Sequence, residues 1–136
     1  MFRKRYSTED WYNIELKRFI GLLGSGITTG SDLDRVGRSE FKGKWSGIFM
    51  SDQNLPRRGY CIVNTDRVGD PGVHWVAVGS GMVYDSFGRS NILNKPGLKD
   101  TDYDAEQTNN EANCGQRCLA WLSVLDSYGP DEAATI

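Results

Sequence analysis

Two short apolar segments separated by a glycine-rich turn constrain the fold of this sequence more than any other feature. Val73–Val78 and Met82–Asp85 are rich in valine and aromatic residues, and Gly79–Gly81 between them reads Gly-Ser-Gly. Segments of this kind around a short glycine turn are typical of antiparallel β-hairpins. Tyr60–Asn64 has a similar composition and predicts another strand. We therefore expect a small antiparallel sheet.

Two helices are predicted around this sheet. Ser7 followed by Glu9 and Asp10 is typical of a helix N-terminus, and glycines from Gly24 end the pattern. A second helix is predicted to begin at Cys114. Its apolar residues recur at helical spacing and share one face: Cys118, Trp121, Leu122 and Leu125. The fold class expected is α+β, with the helix led by Cys114 packed against the sheet.

The length of 136 residues favours one domain over two. Within it we expect an N-terminal region over residues 1–44, a core over residues 45–125 and a tail over residues 126–136. Thr28–Lys44 is polar and rich in glycine and charge, which predicts a loop with at most a short helix. The tail contains Gly129-Pro130, so we expect it to be frayed.

Composition excludes several classes of function. The net charge of −2 argues against a protein that coats nucleic acid. The sequence has no apolar run of membrane-spanning length, and Met1–Asp10 lacks the apolar centre of a secretory signal. Three cysteines, one histidine and no C-x-x-C pair predict neither a disulfide framework nor a metal site. We expect a monomer inside a cell, not secreted and not in a membrane.

Cys114 is the first candidate for chemistry. At the start of a predicted helix, unpaired backbone N–H groups and the helix dipole both favour the thiolate, which is the reactive form of cysteine. Gly115 has no side chain to obstruct an approaching carbonyl group. The alternative is that Cys114 is simply a small buried apolar residue, as most free cysteines are.

His74 and Asp85 are expected to be neighbours. Reflecting His74 about the glycine turn brings it close to Asp85 on the facing strand. An aspartate beside a histidine fixes the tautomer of the ring and stabilises the imidazolium. Gln107 lies seven residues before Cys114, where its amide can donate a hydrogen bond to an oxyanion. Taken alone, each has an ordinary alternative: a structural histidine, a turn aspartate and a surface glutamine.

Taken together, these segments resemble the adenain family of adenovirus proteases, and more widely the proteases of ubiquitin-like proteins. The similar segments are Ile62–Thr65, Gly72–Trp75, Tyr84–Gly88, Gln107 and Asn113–Gly115. Their order along the chain is that of the family, and the likeness extends from about Trp45 to Leu125.

The resemblance implies a role for each matched residue. His74 corresponds to the general base, Asp85 to the acid that orients it, and Cys114 to the nucleophile. Gln107 and the backbone N–H of Cys114 correspond to the oxyanion hole. The implied fold is a circularly permuted papain-like core. The implied activity is endopeptidase cleavage of viral precursor proteins at glycine-containing sites during virion maturation, in the virion and the host nucleus or cytoplasm. A preference for glycine implies a narrow substrate cleft, for which Trp45, Trp75 and Gly115 are candidates, although tryptophans in such positions are more often core residues.

The sequence departs from the family in its activators. The adenovirus enzymes form a disulfide with an activating peptide ahead of the glutamine, whereas Leu98–Glu106 contains no cysteine. They also use DNA, which the acidic composition of this segment and the net charge of −2 do not favour. No cofactor is evident, and a peptide or DNA activator is suggested by analogy only. Two other functions stay open: an isopeptidase for ubiquitin-like modifiers, and a catalytically silent binding protein of the same fold.

Overall fold

A computed structural model describes residues 6–66, 74–102, 105–108 and 111–136. Its helices are α1 (Thr8–Leu23), α2 (Gly30–Phe41), α3 (Cys114–Tyr128) and the single turn α4 (Pro130–Ala133), with a 3₁₀ turn at Lys42–Lys44. Its strands are β1 (Trp45–Met50), β2 (Tyr60–Asn64), β3 (Trp75–Gly79), β4 (Met82–Tyr84) and β5 (Lys99–Asp100). The fold is α+β, as expected.

The five strands form one mixed sheet in the order β1-β2-β3-β4-β5. β2, β3 and β4 are antiparallel, as predicted, but β1 pairs with β2 and β5 pairs with β4 in parallel. The expectation of a purely antiparallel sheet was therefore wrong. The two outer strands are reached by longer connections than a hairpin turn, and such connections allow the chain to return in the same direction.

The predicted hairpin is formed by β3 and β4. Gly79 pairs with Met82 and Ala77 with Tyr84, so the turn consists of Ser80 and Gly81. Both turn residues have positive φ, 51° and 76°, which is the geometry that matches the twist of a two-residue hairpin. The strand begins at Trp75, so His74 lies just before it, and Val73 lies outside the described residues.

Both faces of the sheet are buried. Alternate residues of the strands pack against the helices on one face: Ile62, Ala77, Met82 and Tyr84. Their neighbours pack on the other face beneath the connecting loops: Cys61, Val63, Val76, Val78 and Val83. This alternation follows from the two-residue period of a strand.

Helix α3 lies at the centre of the molecule. Every residue from Cys114 to Leu125 is buried, because α1, the sheet and α4 surround the helix. The sequence predicted one apolar face, but the helix is covered on all sides, so its polar residues Gln116, Arg117 and Ser123 are buried as well. Trp121 stacks on Tyr84 of β4 with ring centroids 5.6 Å apart, which fixes the helix against the sheet.

Two further sequence expectations were wrong. The polar segment Thr28–Lys44 contains the twelve-residue helix α2, which is capped by Thr29 Oγ1 and buries a stripe of apolar residues. The stripe consists of Leu33, Val36 and Phe41. The tail is docked and not frayed, since Ala133 and Ile136 are buried and Trp121 Nε1 donates to Ala133 O at 2.9 Å.

Candidate active site

Four residues singled out in the sequence converge at one end of the sheet. His74 lies just before β3, Asp85 just after β4, and Cys114 is the first residue of α3. Gln107 lies in the connection that leads to α3. All four are buried, with His74, Asp85 and Gln107 each 5% exposed and Cys114 8% exposed.

The hairpin brings His74 and Asp85 into direct contact. In the register of β3 and β4 they lie at the same open end of the hairpin, and His74 Nε2 donates to Asp85 Oδ1 at 2.7 Å. Because a carboxylate only accepts, this contact assigns the proton to Nε2. The other ring nitrogen, Nδ1, is then left without the carboxylate as its partner, and an interaction with Cys114 contributes to raising the pKa of His74.

Asp85 is held as a buried anion. Besides His74, it accepts hydrogen bonds from the backbone N–H of Phe87 at 3.0 Å and from Arg89 Nε at 2.8 Å. Burial raises the pKa of Asp85, but the bonds from His74, Arg89 and Phe87 outweigh burial and lower it to about 2. The carboxylate is therefore charged throughout the range in which His74 titrates.

The thiol of Cys114 is activated by its surroundings. Burial raises its pKa, but the hydrogen bond from His74 and the backbone N–H groups of Trp75 and Gly115 hold it below the usual 9.0. Those N–H groups and the first turn of α3 present partial positive charge to the sulfur. Burial lowers the pKa of His74, while the bonds to Asp85 and Cys114 more than offset this and raise it above 6.5. A thiol with a lowered pKa beside an imidazole with a raised one favours the thiolate–imidazolium pair.

Cys61 and Cys118 differ from Cys114 in the direction in which the pKa of the thiol is shifted. All three cysteines are free thiols. Burial raises the pKa of Cys61 to about 12 and that of Cys118 well above 9.0. The structure therefore agrees with the sequence expectation that both are core residues, and it distinguishes one activated thiol from two inert ones.

Gln107 has its amide group fixed at both ends. Its Nε2 donates to Glu111 O at 2.7 Å, and its Oε1 accepts from Ser86 Oγ at 2.5 Å. The amide nitrogen carries two hydrogens, and Glu111 O takes one. Gln107 also lines the same cavity as Cys114. Its amide is therefore located where it can donate to a substrate group.

A cavity of about 500 Å³ opens onto these residues. His74, Cys114 and Gln107 lie on its wall together with Trp75 and Phe87. The remaining wall is largely apolar or uncharged, and Glu111 is its one carboxylate among the described residues. A cleft with a mostly uncharged wall beside a thiol of lowered pKa can hold a ligand through shape and a few oriented polar groups.

Of the three residues expected to form a substrate cleft, only Trp75 lines this cavity. Trp45 instead belongs to the packing between α2 and β1. Its Nε1 donates to Asp34 Oδ1 at 2.8 Å, and its ring stacks on Phe41. A Cβ on Gly37 would come within 2.5 Å of that ring, so the indole fills the groove left by this glycine.

Gly115 also has a packing role that the sequence did not indicate. A Cβ at this position would lie 2.2 Å from Thr28 Oγ1 and 2.9 Å from Leu33 Cδ2. Contacts this short do not occur in folded proteins, so glycine is required for the first turn of α3 to approach the segment before α2. The residue is buried and does not line the cavity.

The segment Ile27–Gly30 forms one wall of the cavity and was missed by sequence reasoning. It is held by Trp75 Nε1, which donates to Thr28 O at 3.3 Å, and by Gln116 Nε2, which donates to the carbonyl oxygens of Gly24 and Gly26 at 2.6 and 2.9 Å. Thr29 followed by an acid three residues later is an N-cap signal, and it could have located the helix that positions this wall.

Neither a metal-binding cluster nor a membrane-spanning helix is found among the described residues. Within residues 6–66, 74–102, 105–108 and 111–136, no cluster of three or more His, Cys, Asp or Glu side chains is arranged to hold a metal ion. Over the same ranges, no helix combines the length and apolar character needed to cross a bilayer.

Comparisons with protein-family models, with curated proteins and with solved structures find no match for this chain. The resemblance to the adenain family therefore comes only from the order and residues of the short sequence motifs, and these comparisons neither support nor contradict it.

Proposed function

We propose that this protein is a cysteine endopeptidase with Cys114 as nucleophile, His74 as general base and Asp85 as the group that orients His74. The observation that carries the proposal is the buried His74–Asp85 hydrogen bond, which holds the imidazole in one cavity with a thiol whose pKa it lowers. A purely structural histidine needs neither an activated thiol nor access to a ligand.

The reaction begins with acylation of the thiol. The Cys114 thiolate attacks the carbonyl carbon of a peptide bond and forms a C–S bond, which leaves an oxyanion on the substrate. The oxyanion collapses, the C–N bond breaks, and the His74 imidazolium gives its proton to the departing amine. Neutral His74 then takes a proton from water. The resulting hydroxide attacks the thioester, and the C–S bond breaks to restore the thiolate and release the acid.

Gln107 and the backbone N–H of Cys114 are the proposed oxyanion donors. The amide of Gln107 lies on the cavity wall beside the thiol, and its position is fixed before substrate arrives. A donor that is already oriented costs no reorganisation when charge develops, and loss of one such donor typically lowers kcat by about 10²–10³-fold.

The resemblance to the adenain family extends the proposal to a substrate class. On that basis, the fold is a circularly permuted papain-like core, and the substrates are viral precursor proteins cut at glycine-containing sites during virion maturation, in the virion and the host cell interior. Trp75 is the cleft tryptophan that fits this proposal, because its ring lies on the cavity wall beside Gly30. A bulky wall at this point would restrict side chains near the scissile bond.

Labelling with a peptide vinyl sulfone that ends in Gly-Gly tests the proposed chemistry. We expect the wild-type protein to be modified on Cys114 alone, while C114A and H74A are not modified. C61A and C118A are matched controls that remove an inert thiol and should label as the wild type does. Modification of C114A to the same extent as the wild type would refute the assignment of the nucleophile.

The substrate class needs a separate measurement. Wild-type protein and C114A would be incubated with viral capsid precursors and with a ubiquitin-like precursor, and the products identified by mass spectrometry. Cleavage of the capsid precursors after or before glycine supports the maturation protease. Cleavage of the ubiquitin-like precursor alone would replace that substrate class with the isopeptidase. A wild-type protein that neither labels nor cleaves would support the catalytically silent binding protein.

A further inference from the structure

Ser86 is a fully buried residue that connects the turn holding Asp85 to the side chain of Gln107. It follows Asp85 directly, and its side chain is 0% exposed. Its hydroxyl contacts Gln107 Oε1 at 2.5 Å, and its carbonyl oxygen accepts from the backbone N–H groups of Glu106 and Gln107 at 2.9 and 3.0 Å. Ser86 thus contacts both the backbone and the side chain of Gln107.

The orientation of the Gln107 amide follows from the chemistry of its two partners. Glu111 O can only accept, so the amide nitrogen must face it. The opposite end is therefore Oε1, and Ser86 Oγ must donate to it. If Ser86 had no hydroxyl, Oε1 would be a buried acceptor without this donor, and the side chain would be free to leave its present rotamer.

We propose that Ser86 is a positioning residue that holds the Gln107 amide with its second N–H directed at the oxyanion. This inference rests on the proposed function, since it assigns a role to Gln107 in acyl transfer. Donation to Oε1 also polarises the amide, and polarisation strengthens the N–H groups at its other end. Ser86 acts through Gln107 and does not touch the reacting atoms.

A purely structural role for Ser86 is the alternative that the experiment must exclude. Ser86 lies in the turn that also holds Asp85, where Gly88 N–H donates to Asp85 O at 2.8 Å. A substitution that distorted this turn would impair His74 and lower activity without involving Gln107. The two explanations differ in whether the effect of Ser86 depends on the presence of the glutamine amide.

The test is a double-mutant cycle with S86A, Q107A and the double variant. The probe is the p-nitrophenyl ester of N-benzyloxycarbonylglycine, because acyl transfer from this ester needs an oxyanion hole and no knowledge of the cleavage sequence. We expect kcat/KM to fall about 100-fold in Q107A and roughly tenfold in S86A. In the double variant we expect a value within about threefold of Q107A, because the hydroxyl has no amide left to hold. A full further tenfold loss on the Q107A background would overturn the proposal, as would wild-type activity of S86A.

Alkylation of Cys114 by iodoacetamide supplies a second readout. This reaction needs the thiolate but develops no oxyanion, so its pH profile in S86A should match that of the wild type. A profile displaced in S86A would show that Ser86 acts through Asp85 and His74, and would overturn the proposal. S123A is a matched control, because Ser123 is also buried and its hydroxyl donates to a carboxylate, Glu15 Oε1, at 2.7 Å. It should leave kcat/KM unchanged.

The outcomes separate this inference from the proposed function. If the wild-type protein hydrolyses the ester no faster than C114A, the proposed function fails and the role of Ser86 fails with it. If the wild type is active but the cycle is additive, only the inference about Ser86 is lost. Should S86A not fold, S86C replaces it in the cycle, since a thiol is a weak donor of similar size, and the same criterion of non-additivity applies.

Discussion

Replacing Asp85 by asparagine is the most direct perturbation of the charge pair that the structure indicates. Asparagine keeps the size of aspartate, and its Oδ1 can still accept from His74 Nε2 and from the Phe87 N–H. Its NH₂ group would face Arg89 Nε, where two donors oppose each other. We expect Arg89 to turn to solvent, since its side chain is already 47% exposed. The main consequence is the loss of one buried negative charge beside the imidazolium.

The size of the effect follows from the geometry. An imidazolium and a carboxylate with charge centres roughly 4 Å apart attract by about 4 kcal/mol at an effective dielectric constant of about 20. The neutral hydrogen bond that asparagine keeps restores about 1 kcal/mol. The remaining ~3 kcal/mol is stabilisation that the imidazolium loses, so the pKa of His74 is lower in D85N than in the wild type. The thiolate–imidazolium pair should then be about 100-fold less populated near neutral pH.

The assay is the rate of iodoacetamide alkylation between about pH 5 and pH 10, since only the thiolate reacts. We expect D85N to react about 100-fold more slowly than the wild type at pH 6 and at the same rate near pH 10, where the thiol ionises without help from His74. Cys61 and Cys118 contribute no background, because burial raises the pKa of each. D34N is the matched control, because Asp34 also accepts from a ring N–H and an arginine but lies on α2, where it faces Trp45. Equal rates for D85N and wild type at pH 6 would refute the reasoning.

Three further predictions concern the Cys114–His74 pair, the carboxylate of Asp85 and the packing around Gly115. Esterase activity should rise with pH as the Cys114 thiol loses its proton, because its pKa lies below the usual value of 9.0. It should fall at higher pH as the His74 imidazolium loses its proton, because the pKa of His74 lies above its usual 6.5. A profile still rising at about pH 10 would contradict the ion pair. Folding lowers the pKa of Asp85 to about 2, so its carboxylate contributes on the order of 2 kcal/mol to the free energy of unfolding. This contribution is complete above about pH 4 and is lost as pH falls toward 2. Denaturant titrations of wild type and D85N should therefore converge over that range. G115A should destabilise the protein by about 1–3 kcal/mol through steric overlap. G21A is its control: the added Cβ in helix α1 meets nothing within 4 Å, so the variant should be more stable by about 0.4–1 kcal/mol. Equal thermal shifts of the same sign would contradict the packing argument.

The elements that could be predicted from the sequence are those with a local chemical signal at their ends. Helix α1 begins where Ser7 Oγ accepts from the Asp10 N–H at 3.1 Å, and it ends at Gly24 with a positive φ of 85°. The hairpin turns at Ser80 and Gly81, which adopt the left-handed region that the Gly-Ser-Gly sequence favours. In each case a few neighbouring residues determine the backbone, so tertiary context is not needed.

The elements that could not be predicted depend on distant partners. Helix α2 has a net polar sequence, and its three buried apolar residues are spread over nine positions among charged residues. Strand β1 contains Gly47 at a positive φ of 119° and a shift in register, which disrupt the alternation that predicts a strand. The C-terminal turn is docked by a hydrogen bond from Trp121, a residue of another helix. Composition made the segment of α2 resemble a loop and the C-terminal turn resemble a tail, and it gave no clear signal for β1.

The residues of the candidate site divide in the same way, into those with a local sequence signal and those that depend on distant partners. His74 and Asp85 could be paired from the sequence because a hairpin converts sequence separation into spatial proximity, and Cys114 could be singled out because helix starts are chemically distinct. Ser86 and Arg89 had no such signal: their partners are reached only once the chain after β4 has turned back on itself. Yet this short segment from Asp85 to Arg89 contacts both the base and the proposed oxyanion donor, through Asp85 at His74 and through Ser86 at Gln107. A displacement of this one turn would therefore move the partners of His74 and Gln107 together, so the proposed base and the proposed oxyanion donor depend on the same short segment.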